Sequence, residues 1–314
     1  MYNTIKMELY RMVRMKSFYV IMLIMTAMTV FGTWAVNEEV AYNKEEAQKT
    51  EQSLNAIQQG VGENQEIEDI MDGIEAAQQS PGENQEEAED GDDIMIGIVS
   101  EMSEDTDFSN VTVLDTAFSN LSGMIIALFI AIFTVLFCGA DITSGYIKNF
   151  VGQAKSRTRL VLAKVISIGI YTIVMMLFYW IVQMVSNGIF LGYIHMGDVG
   201  SCVSYLAVQT VLHIALAMLC LAIVLISKST VTSMVFAICV CGNIMSVLYM
   251  GIDFIVGKIG VKDFSFSTYT VSGRIKMLEQ TFARQDGIET LAVAAVCMIL
   301  CFLIGSVVFT KKDI

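Results

Sequence analysis

Six stretches of this sequence are apolar over about 20 residues, the length an α-helix needs to cross the hydrocarbon core of a bilayer. They run from Ser17 to Val36, Phe118 to Cys138, Val165 to Asn187, Tyr205 to Ile226, Val231 to Met250 and Thr290 to Phe309. In lipid no water satisfies a bare backbone amide, so each run must close its own hydrogen bonds as a helix. A 54% hydrophobic content with a single Pro in 314 residues agrees with that reading. The expected fold class is an all-α polytopic membrane protein with six transmembrane helices. A cleaved signal peptide is the rival for the first run. It is disfavoured because the run exceeds a usual signal core and no clear small-residue cleavage site follows.

Charge then orients the chain. The net charge of −13 conceals a sharp segregation. Twelve of the 19 Lys and Arg residues lie in the amino end, in the connection after the second run, at Lys228 and in the carboxyl tail. In those places the only acids are Glu8, Asp141 and Asp313. Basic residues in short connections stay on the cytoplasmic side, so both termini are expected to face the cytoplasm of a plasma-membrane protein. Residues 1–16 read as an interfacial amphipathic helix: Ile5, Leu9 and Met12 share a face, and Lys6, Arg11 and Arg14 point to lipid headgroups or a partner. A simple positive flank for topology explains the same pattern.

The connection of residues 139–164 holds the densest positive charge. In CGADITSGYIKNFVGQAKSRTRLVLAK, residues Ile142, Tyr146, Ile147, Phe150 and Val151 recur at helical spacing, with Lys148 and Asn149 turned away. Asp141 is expected at the start of that helix, where a carboxylate suits the positive end of the dipole. A loop that only fixes topology fits the pattern as well.

The DITSGYIKN segment, with Asp141, Gly145 and Lys148, resembles the coupling helix of type-2 ABC exporter permeases. The KMELYRMVRMKSFYV start and the VFTKKDI close are similar to that family too. The resemblance covers the membrane part and not residues 37–115, and the family often has Glu where Asp141 stands. It implies a permease subunit that moves a substrate, with peptide a slight favourite, by alternating access. It also implies a cytoplasmic ABC ATPase dimer that carries ATP and Mg. A second permease subunit, identical or related, would complete the path. The ATPase-coupling residues would be Asp141, Ile142, Gly145, Tyr146, Ile147, Lys148, Asn149 and Phe150. A peptide-sensing or immunity membrane protein that transports nothing is the alternative.

Residues 37–115 form an acidic extracellular insertion, with 23 Asp and Glu against Lys44 and Lys49. Its opening is expected to prolong the first helix as far as Gly60. GENQE recurs at Gly62 and Gly82, and Ser80 to Asp93 has the composition of a solvated linker. Such a segment is either a partly disordered loop or an acidic lid that concentrates cationic peptides. Residues 251–288 make a second outer segment. In the resembled family that place carries short helices capping the outer leaflet, and Phe254, Phe264, Phe266 and Tyr269 suit interfacial burial.

No Lys, Arg, Asp or Glu lies at mid-depth in any run, which argues against ion-driven transport. The strongest internal polar groups are Gln183 and Asn187, Gln209 and His213, each pair four residues apart, and Asn243. Interhelical hydrogen bonding explains them more simply than a substrate path, for which they are the candidates. Ser233, Ala237 and Cys241 form a small-residue stripe suited to close packing, a dimer interface included. Six of the seven Cys lie in apolar runs and only Cys202 in an outer loop, so no disulfide framework or metal spacing is present. The chain has no GxxxxGK[ST], HExxH or GxSxG, so no catalytic or metal site is expected, and nothing suggests a nucleic-acid partner.

Overall fold

The structure is a computed structural model and describes residues 2–59, 111–144, 157–259 and 264–311. It divides into two compact units, one of Met1–Val36 with Ile96–Ile314 and one of Asn37–Met95. The described residues are helical apart from short connections. They form α1 (Tyr2–Arg14), α2 (Lys16–Gln59), α3 (Val113–Ser122), α4 (Ile125–Thr143) and α5 (Arg157–Phe190). After these come α6 (Val199–Ser227), α7 (Thr230–Cys241), α8 (Ile244–Lys258), a 3-10 turn (Phe266–Tyr269), α9 (Val271–Met277) and α10 (Arg284–Lys311). Five of these helices are long and apolar enough to cross a membrane, and six spans result if the bent pair α7–α8 counts as one. The chain is a polytopic, all-α membrane protein.

α2, the helix of the first apolar run, continues past that run and ends at Gln59, next to Gly60. In that continuation Lys49 pairs with Glu45 one turn away, at 2.9 Å. The rest of the acidic insertion up to Asn110, the GENQE repeats and the linker included, lies outside the described residues.

Two of the expected spans are not single helices. The run from Phe118 is split at Gly123–Met124, where Met124 takes a left-handed conformation (φ 58°). The polar series Ser119, Asn120, Ser122 and Gly123 breaks the apolar run there, and α4 then supplies 19 residues of uninterrupted span. The short α3 is fixed at its start by a reciprocal cap: Asp115 N–H donates to Thr112 Oγ1 and Thr112 N–H to Asp115 Oδ2. The fifth run bends by 69° at Gly242–Asn243. Asn243 is left-handed (φ 65°), and a side chain at Gly242 would come within 2.8 Å of the Ile238 carbonyl oxygen. At about 1.5 Å per residue, the 12 residues of α7 are too short to cross by themselves.

The central helix is α6, which packs against α4, α5, α7, α9 and α10. In lipid, helices associate through close packing and buried hydrogen bonds rather than by escape from water. Small residues on α6 and α7 serve that packing. The stripe Ser233, Ala237 and Cys241 is buried within this one chain, on a helix that packs against α4. Gly139 of α4 meets the start of α7 so closely that a Cβ there would lie 2.9 Å from Thr230 Cγ2. Cys202 lies buried in α6 rather than in an outer loop. Between α2, α4 and α5 runs a column of rings: Phe133 stacks on Tyr171 at 4.1 Å and on Phe137 at 5.8 Å, with Phe18 edge-on. Such ring pairs contribute about 0.5–1.5 kcal/mol beyond their buried area.

Candidate functional site

That column ends at a cluster of four charges. α1 packs against α5, and from its buried face Glu8 and Arg11 meet Asp141 near the end of α4 and Lys164 in the second turn of α5. Glu8 Oε2 lies 3.0 Å from Arg11 Nη2 and 3.2 Å from Lys164 Nζ. Asp141 accepts from both cations, Arg11 on Oδ1 and Lys164 on Oδ2. Below them Lys164 Nζ stands 3.9 Å from the centre of the Phe137 ring, and the Arg11 guanidinium carbon 5.0 Å. The carboxylates are 7–8% exposed and Lys164 12%. Two acids face two bases, so the cluster is neutral; the carboxylates and Lys164 are buried enough to need partners, while Arg11 is 26% exposed and closes the solvent side. The ring face adds an attraction for both cations.

This arrangement corrects the expectation for Asp141. It does not open a helix: α4 carries its apolar pattern through Cys138 and ends at Thr143, leaving Asp141 near the C-terminus. A carboxylate there opposes the helix dipole, and the two cations offset that. The connection 139–164 is likewise narrower than expected, since α4 reaches Thr143 and α5 begins at Arg157. Ile142 is half-buried and packs on the core. Gly145, Tyr146, Ile147, Lys148, Asn149 and Phe150 lie outside the described residues. What the structure fixes is the frame on both sides of them.

The polar residues inside the bundle fall into three places. Gln183 and Asn187 of α5 sit in a closed network with α2 and α3. Gln183 Nε2 is within hydrogen-bond distance of Thr33 Oγ1 (2.9 Å), Thr116 Oγ1 (3.0 Å) and Asn187 Oδ1 (2.8 Å). Asn120 Nδ2 and the Tyr179 hydroxyl donate to Gln183 Oε1, at 3.1 and 3.3 Å. All of these groups are buried. Gln209 and His213 lie on α6. Gln209 Nε2 donates to the Tyr205 hydroxyl and to the Ile275 carbonyl, 3.1 Å each, which ties α9 to the central helix. His213 Nδ1 is 2.7 Å from the Gln209 carbonyl oxygen, whereas His213 Nε2 and Gln209 Oε1 are buried with no hydrogen-bond partner. Asn243 stands apart from both sets, at the bend between α7 and α8, where Lys276 Nζ donates to its Oδ1. Burial pushes the Lys276 ammonium below its ordinary pKa.

The outer segment is built from α8, the 3-10 turn and α9. Asp253 Oδ1 accepts from Phe266 N–H at 2.6 Å, so the carboxylate is used within the segment. Phe264 stacks on Tyr269 at 5.6 Å and Tyr249 contacts Phe266 at 5.5 Å, while Phe254 stays exposed.

Residues 96–314 match the model of a family described as "Protein of unknown function (DUF2705)". The chain belongs to this family. The DUF2705 match covers α3 to α10, so it contains Asp141 and Lys164 but not Glu8 and Arg11. No curated protein matches the chain.

The charge cluster is not legible in the sequence as a unit; its one trace there is the pair of acids, Glu8 and Asp141, set among otherwise basic segments.

Proposed function

We propose that the chain is the membrane subunit of a transport system driven by a separate ATPase, a permease of the type-2 ABC exporter kind. The observation that carries this reading is the joint of α1, α4 and α5. Three helices meet in one neutral, buried ion cluster on either side of residues 145–156, the segment that resembles a coupling helix. A force applied to that segment reaches α4 through Asp141 and α5 through Lys164, and both are tied to α1. Asp141 then acts as the anchor of the lever rather than as a contact of the ATPase. The contact falls to Tyr146, Ile147, Lys148, Asn149 and Phe150, whose alternation supplies an apolar side for the bilayer surface and a polar side for a partner.

The distribution of Lys and Arg supports this reading, in which both termini and this segment would face the cytoplasm of a plasma-membrane protein. A dimer of cytoplasmic ABC ATPase subunits would bind there, with ATP and Mg held on the ATPase. A second permease subunit would complete the path. Closure of the ATPase dimer would tilt α4 and α5 together and so switch the bundle between inward and outward states.

The decisive experiment is purification of the chain from its native membrane together with whatever binds it. The expected result is a co-purifying ATPase whose hydrolysis the chain stimulates. Ile147→Asp or Phe150→Asp should leave the chain folded and abolish that stimulation. Wild-type stimulation in both variants, or labelling of Lys148 from outside the cell, overturns the proposal.

A further inference from the structure

At the opposite end of the α6–α10 pair, away from the charge cluster, the two helices begin beside one another and leave a groove of about 630 Å³ between their first turns. α6 and α10 form the most extensive helix pair among the described residues, and the groove exists because α6 presents small side chains there. Gly200, Ser201, Ser204 and Ala207 line its α6 side, and Ile288 and Leu291 its α10 side. Phe282 lies across the first turn of α10, so close to Gly287 that a Cβ would stand 2.7 Å from the ring.

The groove is amphipathic along its length. Ala207, Val208, Ile288 and Leu291 make an apolar wall toward the bilayer interior. Asp198, Gln280, Thr281 and Arg284 gather at the mouth. Arg284 opens α10, where the dipole is already positive and a cation is unfavourable. It has no ion-pair partner among the described residues. Beside it Gln280 Nε2 is a buried donor with no acceptor. Asp286 in the same first turn offsets the dipole, so it is the guanidinium and the unused amide donor that favour an anion here. Across the mouth Asp198 carries the opposite sign. Its Oδ2 accepts from Ser201 N–H at 2.8 Å, and hydrogen bonds from Ser201 and Gly200 hold the exposed carboxyl below the usual carboxylate range, so it is charged at the mouth.

We infer that this groove binds one zwitterionic phospholipid with a primary ammonium headgroup. Arg284 and Gln280 take the phosphate, Asp198 takes the ammonium, and an acyl chain lies along Ala207 and Leu291. Both helices that form the groove are membrane-crossing helices that start at its mouth, so a headgroup reaches it without leaving its leaflet. The volume falls in the range of specific small-ligand sites, about 300–1,000 Å³. The site depends on α6 and α10 crossing the bilayer and not on any ATPase, so it can fail or stand apart from the exporter reading.

The test is native mass spectrometry of the full chain in mild detergent, titrated with phosphatidylethanolamine, with phosphatidylglycerol and with inorganic phosphate alone. Wild type should retain one phosphatidylethanolamine in preference to phosphatidylglycerol. Arg284→Gln should weaken both lipids by about tenfold, the effect of losing one charge-assisted phosphate contact. Asp198→Asn should abolish the preference but keep phosphatidylglycerol binding, because Asn caps a helix as well as Asp does. Ala207→Phe, which fills the apolar wall, should remove lipid retention altogether. Equal retention of both lipids by wild type and all variants overturns the inference, as does displacement of the lipid by inorganic phosphate.

Discussion

Replacing Asp141 by Asn removes one charge from the cluster at the base of α4 and keeps its shape. The wild-type cluster is neutral, with Glu8 and Asp141 facing Arg11 and Lys164. The variant leaves two cations on one carboxylate. Breaking a buried pair from one side costs about 3–5 kcal/mol when the remaining charge is stranded. Here Glu8 Oε2 still lies 3.0 Å from Arg11 and 3.2 Å from Lys164, and the Phe137 ring still faces both, so neither cation is stranded. The expected loss is therefore below that range, about 2 kcal/mol, which lowers the folded-to-unfolded ratio by roughly 30-fold. Combining it with Lys164→Met restores neutrality and leaves the Glu8–Arg11 pair intact. That double variant should recover about 1–3 kcal/mol relative to the sum of the two single losses. The assay is unfolding of the purified chain in detergent, followed by circular dichroism, for wild type, both singles and the double. Single losses below about 0.5 kcal/mol, the range of ordinary surface substitutions, would refute the account. Strict additivity of the two would refute it too.

Gln183→Leu should remove the hub of the α2–α3–α5 network and leave Asn120 and Asn187 short of partners. We expect a loss of about 2 kcal/mol, above the roughly 0.6 kcal/mol average of single hydrogen bonds within membranes, measured by the same unfolding assay. Thr33→Val, which removes one spoke, should cost no more than that average. Gly139→Ala should force α4 away from Thr230 at a cost of about 1–3 kcal/mol, and Thr230→Ala in the same chain should restore most of it. A Gly139→Ala chain as stable as wild type would show that α4 and α7 do not pack as described.

The helices were legible because a span leaves a long apolar signature that few other elements can imitate. The two breaks were not. Met124 and Asn243 are single non-glycine residues in the left-handed region, and one dihedral leaves no period in a sequence. The traces were a glycine before each, Gly123 and Gly242, and the polar residues around them, yet other helical glycines such as Gly169 interrupt nothing. The polar pair Gln183 and Asn187 could be found by its spacing of four. Its partners Thr33 and Thr116 could not, because their distance in the chain, 150 and 67 residues from Gln183, is set by the packing of other helices. Glu8 and Lys164 are likewise 156 residues apart. Read singly, Lys164 looks like a topology charge and Glu8 like a stray acid in a basic segment.

That last misreading shows why the joint matters mechanically. Among the residues of α1 only Glu8 and Met12 are fully buried, so apolar burial holds this helix weakly. Its hold on α4 and α5 comes from ion pairs, which are directional where apolar contact is not. A helix held by packing alone can slide on its neighbours at small cost. One held by Glu8 and Arg11 to two different helices cannot move against either without separating charges in a partly dry site. α1, the end of α4 and the start of α5 should therefore move as one body. A push on residues 145–156 would then displace all three helices together, and the flexing needed for any change of state must occur elsewhere. The breaks at Met124 and Asn243 are two places among the described residues where α4 and α7 could swing without losing helical hydrogen bonds of their own.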